Sequence, residues 1–170
     1  MSRILLFASL VFACLPGFAE TRDVYQHFFE QKLGDFKAEL ATAKKDGKQG
    51  IFLMFEMDEC PFCHRMKTTV LNQSEVQDYY RQHFMVFSVD TKGDTTMVDF
   101  KGKETTEKQF AIDNRVRATP VLAFFDLEGN QIARLTGATK DVNEFMLLGR
   151  YVLEGAYKTQ SFPAYKQGVR

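Results

Sequence analysis

The stretch Ile51-Phe52-Leu53-Met54-Phe55-Glu56-Met57-Asp58-Glu59-Cys60-Pro61-Phe62-Cys63 decides how the rest of this chain is read. Its first half is a short continuous apolar run, the pattern of a strand covered on both faces. After Cys63, His64-Arg65-Met66-Lys67-Thr68-Thr69-Val70-Leu71 places Met66 and Val70 one turn apart with polar residues between, which predicts a helix. Cys60 then stands at a helix N-terminus and Cys63 about one turn in. The first N–H groups of a helix lack intrahelical partners and the dipole there is positive, so a thiolate at Cys60 is stabilised while Cys63 stays shielded and protonated. Pro61 fits the first turn, where its missing N–H costs nothing.

Three chemistries use two cysteines at this spacing. A structural disulfide closing so short a ring adds only about 2 kcal/mol on the chain-entropy estimate. A structural zinc site needs four ligands, and no second Cys/His pair at ligand spacing occurs. Redox exchange needs only the pair and its helix end, and is the preferred reading.

The chain opens with Met1-Ser2-Arg3 and an apolar run, Ile4 to Leu15, too short to span a bilayer. Small residues at Gly17 and Ala19 suit a signal peptidase, so 1–19 is read as a signal peptide and 20–170 as the mature domain, not integral to the membrane after processing. Acylation at Cys14 is the poorer alternative, because bulky Phe12 stands where a small residue is expected. Cleavage removes Cys14 and leaves the Cys60/Cys63 pair, compatible with an oxidising compartment. About 150 residues remain, enough for one domain with its own core. The composition is 45% hydrophobic and 26% charged, with 17 Phe and no Trp, and the 22 basic residues match 22 acidic ones. That balance gives no reason to expect nucleic acid or an anionic membrane as partner.

Thr21 to Gly47 reads as helix, broken near Gly34-Asp35 with Asp35 as a cap and Phe36, Leu40 and Ala43 on its apolar face. A strand over 51–57 and the CPFC helix follow. Ser74 with Gln77 predicts a capping box for a helix carrying Val76, Tyr79 and Tyr80. Phe84 to Asp90 is the next strand, and about 91–105 is the least regular stretch. Thr106 and Gln109 cap a helix bearing Phe110, Ile112 and Val116. Val121 to Asp126 and Gln131 to Leu135, joined through Glu128-Gly129-Asn130, predict an antiparallel hairpin. The last long helix has Val142, Phe145, Met146, Gly149, Val152, Leu153 and Ala156 on one stripe. The tail, about 159–170, is expected to pack loosely.

This order, with CPFC at the first strand-to-helix turn and Thr119-Pro120 opening a later strand, resembles the thioredoxin fold: α/β, a central mixed sheet flanked by helices. The resemblance implies a cis-proline at Pro120 facing the Cys60–Cys63 redox disulfide, and a Thr119 main chain that pairs with an extended substrate. Pro61 and Phe62 join them as expected substrate contacts. A proline opening a strand is independently sensible, since it removes no interior ladder bond. The segments Met54 to Cys63, Lys92-Gly93-Asp94, Thr136-Gly137 and Leu153-Glu154-Gly155-Ala156-Tyr157, with the insert at 91–105, are similar to periplasmic SoxW-like thioredoxins, associated in some bacteria with sulfur oxidation. Two departures stand out. Family members carry Trp before the first cysteine and a buried Asp six residues before it, where this chain has Glu59 and Met54. Glu56, on the same strand face as Met54, either replaces that Asp as proton acceptor for Cys63 or is a solvated strand-end carboxylate. His64 and Arg65 tune the thiolate or simply face solvent, and His27 and His83 are read as ordinary surface or core residues.

Three functions follow. The first is an exported thiol–disulfide oxidoreductase in which Cys60 attacks a substrate disulfide and Cys63 resolves the mixed disulfide. Its partners would be disulfide-containing periplasmic proteins and a membrane electron donor; it is expected to be a monomer with no cofactor and no metal. The others are a copper metallochaperone using Cys60, Cys63 and His64 or a Met, and a non-catalytic peptide-binding module. The signal sequence disfavours cytosolic glutaredoxin-like chemistry. Carboxylates at 56, 58 and 59 oppose the Cys60 thiolate, so a poise nearer ~−270 mV than ~−120 mV is expected, that of a reductant.

Overall fold

The computed structural model describes residues 20–31 and 34–169. The expected signal peptide, 1–19, and Cys14 lie outside them. Strand β1 (Gly50–Glu56) is buried along its whole length, as its unbroken apolar run requires. It pairs in parallel with β2 (Phe84–Asp90), Gly50 opposite Phe84 and Glu56 opposite Asp90. On its other side it pairs antiparallel with β5 (Val121–Phe125), Ile51 opposite Phe125 and Phe55 opposite Val121. Adding β6 (Gln131–Thr136) completes a mixed sheet in the order β2-β1-β5-β6. The expected hairpin is β5–β6, antiparallel throughout.

Alternation along β1 divides the core in two. Phe52 and Met54 face a cluster that contains both cysteines, Met66, Tyr80, Leu122, Phe124, Phe145 and Tyr151. Helices α3 (Pro61–Thr69), α4 (Ser74–His83) and α6 (Val142–Leu153) cover this side. Ile51, Leu53 and Phe55 face the other, built with Phe36, Phe87, Phe110 and Phe125 under α2 (Phe36–Lys45) and α5 (Glu107–Asp113). This is the thioredoxin fold that the element order implied.

Local signals decided several helix ends as expected. Asp35 accepts the Ala38 N–H at 2.9 Å to start α2, and Thr106 accepts the Gln109 N–H at 3.2 Å to start α5. Others were overridden. Among the described residues before α2, a single turn of helix forms, α1 (Val24–His27). Phe28, the residue that caps its C-terminus, is buried against Tyr80 and Phe52, and Phe29 packs on Phe28. The Ser74/Gln77 capping box does not form: Gln73 is the cap residue, with no side-chain bond. The Ser74 N–H instead meets the Glu20 carbonyl at 2.9 Å, and the Gln77 amide is buried, donating to Leu71 and Arg22 carbonyls. Ile112 is 55% exposed, since the buried face of α5 is made by Glu107, Phe110 and Ala111.

The insert is ordered. Strands β3 (Thr96–Val98) and β4 (Glu104–Thr106) form a small antiparallel hairpin. Phe100 between them stacks on Phe36, with ring centroids 5.1 Å apart. The tail is not loosely packed either. It forms α7 (Phe162–Gly168), started by Ser161 accepting the Ala164 N–H. Phe162 and Tyr165 are buried against Tyr151. Phe162 and Tyr165, three positions apart, share one helical face, which explains the docking.

Candidate active site

Cys60 and Cys63 form a disulfide at the start of α3, Cα atoms 5.2 Å apart. Cys60 is the helix cap: its Sγ accepts the Cys63 N–H at 3.0 Å, and Pro61 fills the first helical position. The charge preference of a helix N-terminus therefore acts on Cys60. Both cysteines are covered in the disulfide state, at 3% and 1% exposure, which corrects the expectation that only Cys63 is shielded. What separates them is position: Cys60 caps the end of the helix and Cys63 lies inside its first turn. Between them Phe62 is 61% exposed, an aromatic ring presented beside the disulfide.

The acidic residues near the pair are not an uncompensated cluster. Glu56, at the end of β1, is 8% exposed and is no solvated strand end. Its Oε2 accepts from Lys67 Nζ at 2.6 Å, and the same ammonium donates to the Tyr25 hydroxyl at 2.8 Å. Burial by itself would lower the Lys67 pKa, but the bonds to Glu56 and Tyr25 outweigh it and leave it raised. Glu59 pairs with Lys92 at 3.0 Å, across from the start of the insert. That bond, helped by a backbone N–H, lowers the Glu59 pKa. Asp58 is exposed. Arg65 turns away to the carbonyls of Thr139 and Lys140, at 2.9 and 3.2 Å, and His64 faces solvent. The repulsion expected from positions 56, 58 and 59 is therefore weaker than three free carboxylates would give, because Glu56 and Glu59 carry lysine partners. Lys67 and Lys92 are themselves engaged by these carboxylates, and the N-terminus of α3 acts on Cys60.

The Thr119–Pro120 bond is cis, as the resemblance implied. Pro120 is buried, and its carbonyl accepts the Gly137 N–H at 2.8 Å. Thr119 is half-buried, and among the described residues no backbone hydrogen bond engages its N–H or carbonyl. Because Val121 pairs with Phe55, this loop lies alongside the end of β1, from which the chain runs through Met57 to Cys60. The Cys60 N–H bonds the Met57 carbonyl at 3.2 Å, and Met57 and Thr119 line one cavity of about 190 Å³ with Thr91, Val116, Arg117 and Ala118. A larger cavity of about 830 Å³, at the start of α6, holds neither cysteine.

Lys67, Lys92, Met57 and Tyr25 were not assigned a role at the site from the sequence. Lys67 was legible in principle, standing four residues after Cys63 on the same helical face. Lys92 and Tyr25 reach the site only through the fold. His27 is exposed and His83 lies against Tyr79, with ring centroids 5.0 Å apart, both away from the cysteines as expected. Among the described residues no group of three or more His, Cys, Asp or Glu side chains converges as a metal site. Nor is any described helix long and apolar enough to cross a membrane.

A capping cysteine paired one turn into its helix, on a thioredoxin fold and beside a cis-proline loop, defines the class of redox-active CxxC domains and is consistent with thiol–disulfide exchange. Residues 36–153 match the thioredoxin-like domain family, and the chain belongs to it. No curated protein matches the sequence. Among solved structures it is similar to a thioredoxin-fold protein from Helicobacter pylori, 22% identical with a TM-score of 0.58 over 70% of this chain and 83% of that one. A thioredoxin from Thermus thermophilus is 28% identical with a TM-score of 0.54, covering 70% and 84%. The DsbH oxidoreductase is 19% identical with a TM-score of 0.52, and its match covers 91% of this chain and 96% of that one.

Proposed function

We propose that this protein is an exported thiol–disulfide oxidoreductase that reduces disulfides of periplasmic protein partners, within the SoxW-like group its motifs resemble. The observation that carries the reading is the Cys60–Cys63 disulfide at the N-terminus of α3, next to a Thr119 main chain free to pair with an extended peptide. In the reducing direction Cys60 attacks a substrate disulfide and forms a mixed disulfide. Cys63 then gives up its proton to Glu56 and attacks Cys60 Sγ; the Cys60–Cys63 bond forms and the substrate thiolate leaves. Two electrons pass from the dithiol to the substrate. Glu56 suits the role because it is buried on the β1 face that α3 covers.

With the acids at 56 and 59 paired, their repulsion of the thiolate is reduced, and the N-terminus of α3 stabilises it moderately. The poise we assign is again thioredoxin-like, near ~−270 mV, and a membrane electron donor would keep the pair reduced after export. The test is reduction of insulin by the dithiol form. The wild type should accelerate it, and Cys60→Ser should be inactive. A wild type no faster than Cys60→Ser overturns the reading, and tight Cu(I) binding in that case would favour the metallochaperone. Equilibration with glutathione fixes direction, since a potential above about −170 mV would mark an oxidase or isomerase.

A further inference from the structure

The family domain begins at residue 36, yet residues before it reach the site. Tyr25 stands on α1, and its hydroxyl accepts from Lys67 Nζ at 2.8 Å while the same ammonium donates to Glu56 at 2.6 Å. The segment that carries Tyr25 is fastened on both sides. Thr21 bridges Gln73, the Arg22 N–H bonds the Asn72 carbonyl at 2.7 Å, and the Arg22 guanidinium pairs with Asp78 at 2.8 Å. Beyond α1, Phe28 is fully buried against Phe52 and Tyr80, and the Glu30 N–H bonds the Val86 carbonyl at 2.7 Å. Tyr25 itself is 62% exposed, so burial of its ring does not account for its position. Its ring touches Phe29 and lies 5.3 Å from the Lys67 ammonium, and its hydroxyl adds the hydrogen bond to that ammonium.

We propose that Tyr25 and Lys67 are positioning residues for Glu56, and that the N-terminal segment thereby forms part of the site that handles the Cys63 proton. This rests on the reading of Glu56 as proton acceptor given above. When the Cys63 proton moves to Glu56, the negative charge moves from the carboxylate to the Cys63 sulfur, and the total is unchanged. The Lys67 ammonium, on α3 one turn from Cys63 and held between Glu56 of β1 and Tyr25 of α1, serves the anion at either location. Without the Tyr25 oxygen, Lys67 has a long flexible stem and an open route to solvent, and the ammonium is held at Glu56 by one bond instead of two. The groups facing Lys67 are Glu56 from β1 and Tyr25 from α1. The other charges near the cysteines are exposed, as Asp58 and His64 are, or bound elsewhere, as Glu59 is to Lys92 and Arg65 to the Thr139 and Lys140 carbonyls.

The experiment follows decay of a preformed mixed disulfide between Cys60 and a reporter thiol, a step that needs the Cys63 thiolate, as a function of pH. Glu56→Gln, Lys67→Gln, Lys67→Arg and Tyr25→Phe are compared with the wild type, each also scored for Tm. Removing the cation raises the pH needed to form the thiolate, so the rate profile of Lys67→Gln should move to higher pH, with about a tenfold slower step at neutral pH. Tyr25→Phe keeps the ring and should slow the step about threefold with the same direction of shift. Lys67→Arg should restore most of the rate. If Glu56→Gln shifts the profile while Lys67→Gln and Tyr25→Phe leave it in place, the positioning role is overturned and the Glu56 reading survives. If Glu56→Gln leaves the profile unmoved, the Glu56 reading itself fails. A lower Tm for Tyr25→Phe with an unchanged profile would make the contact purely structural and would also overturn the proposal.

Discussion

Cys60 and Cys63 differ less in exposure than in what the helix does to each. The cap position gives Cys60 the Cys63 N–H as a hydrogen-bond donor, and charge-assisted bonds of this kind favour a thiolate over a thiol. In the reduced protein iodoacetamide should therefore modify Cys60 at lower pH than Cys63, and equal reactivity of the two would defeat the assignment. The roles also predict opposite mutant phenotypes. Cys63→Ser should accumulate mixed disulfides with partner proteins, because the resolving thiol is gone, whereas Cys60→Ser should accumulate none. Trapped adducts of similar yield on both variants would mean that the roles are reversed. Lys92 adds a finer test. Lys92→Ala frees the Glu59 carboxylate beside Cys60 and should move the Cys60 alkylation midpoint slightly upward at low salt. Since the Glu59 and Lys92 side chains are both largely exposed, the difference should vanish near ~1 M salt. A difference that persisted at high salt would point to an effect other than that ion pair.

At the scale of elements, α7 is the part whose order the sequence least announced. It is held to α6 by Phe162 and Tyr165 on Tyr151, by the Tyr165 hydroxyl donating to Glu154 at 2.6 Å, and by Lys166 on Glu144. Burial raises the Glu144 pKa, but the bonds from Lys166 and from the Lys140 N–H outweigh it and leave the pKa below its ordinary value of 4.5. A carboxylate depressed in the folded state adds stability that is complete above its unfolded pKa and disappears as the pH falls through the folded one. Docking of α7 should thus weaken on acidification below the ordinary glutamate range. The ion pair is worth about 1 kcal/mol or less where it stands. Phe162→Ala acts through packing and should release α7 at neutral pH, seen as rapid tryptic cleavage after Lys158 with the sheet and disulfide intact. A tail that resists trypsin in that variant would show that the aromatic contact does not hold it.

For the whole molecule, the two stretches outside the matched domain, 20–31 and 154–169, both add side chains to the same core cluster, the one that contains the cysteines. Val24, Phe28 and Phe29 come from one, Phe162 and Tyr165 from the other. The centre of that side is Tyr80, fully buried, stacked on Phe145 with ring centroids 4.2 Å apart and donating to the Phe145 carbonyl at 2.6 Å. Desolvation, the main cause, holds its hydroxyl well above the usual tyrosine range, so it stays a neutral donor. Gly149 is the residue that lets α6 approach: a Cβ there would stand 2.8 Å from Tyr79 Cε1 and 3.2 Å from the Tyr80 hydroxyl. Gly149→Ala gains up to about 1 kcal/mol in helix propensity. It loses about 1–3 kcal/mol to overpacking, since the stacked Tyr80 has nowhere to go. A net drop in Tm of about 3 °C is expected. A rise in Tm would show that Tyr79 yields freely.

Local chemistry by itself determined the strand before CPFC, the proline-led helix with Cys60 at its end, the caps at Asp35 and Thr106, and the β5–β6 hairpin. Each depends on apolar periodicity or on a side chain bonding its own neighbours, which a linear sequence displays. The family resemblance supplied what those signals could not, the mixed sheet order and the cis bond before Pro120. Only the tertiary structure decided which charges cancel. Glu56 meets a lysine eleven positions on and a tyrosine from a separate helix, and Glu59 meets Lys92 across the sheet end. The same holds for the Ser74 N–H, taken by Glu20, and for the tail, which orders because Tyr151 offers it an aromatic surface. Coulombic and packing energies depend on distance in space, and the distances that matter here join residues far apart along the chain.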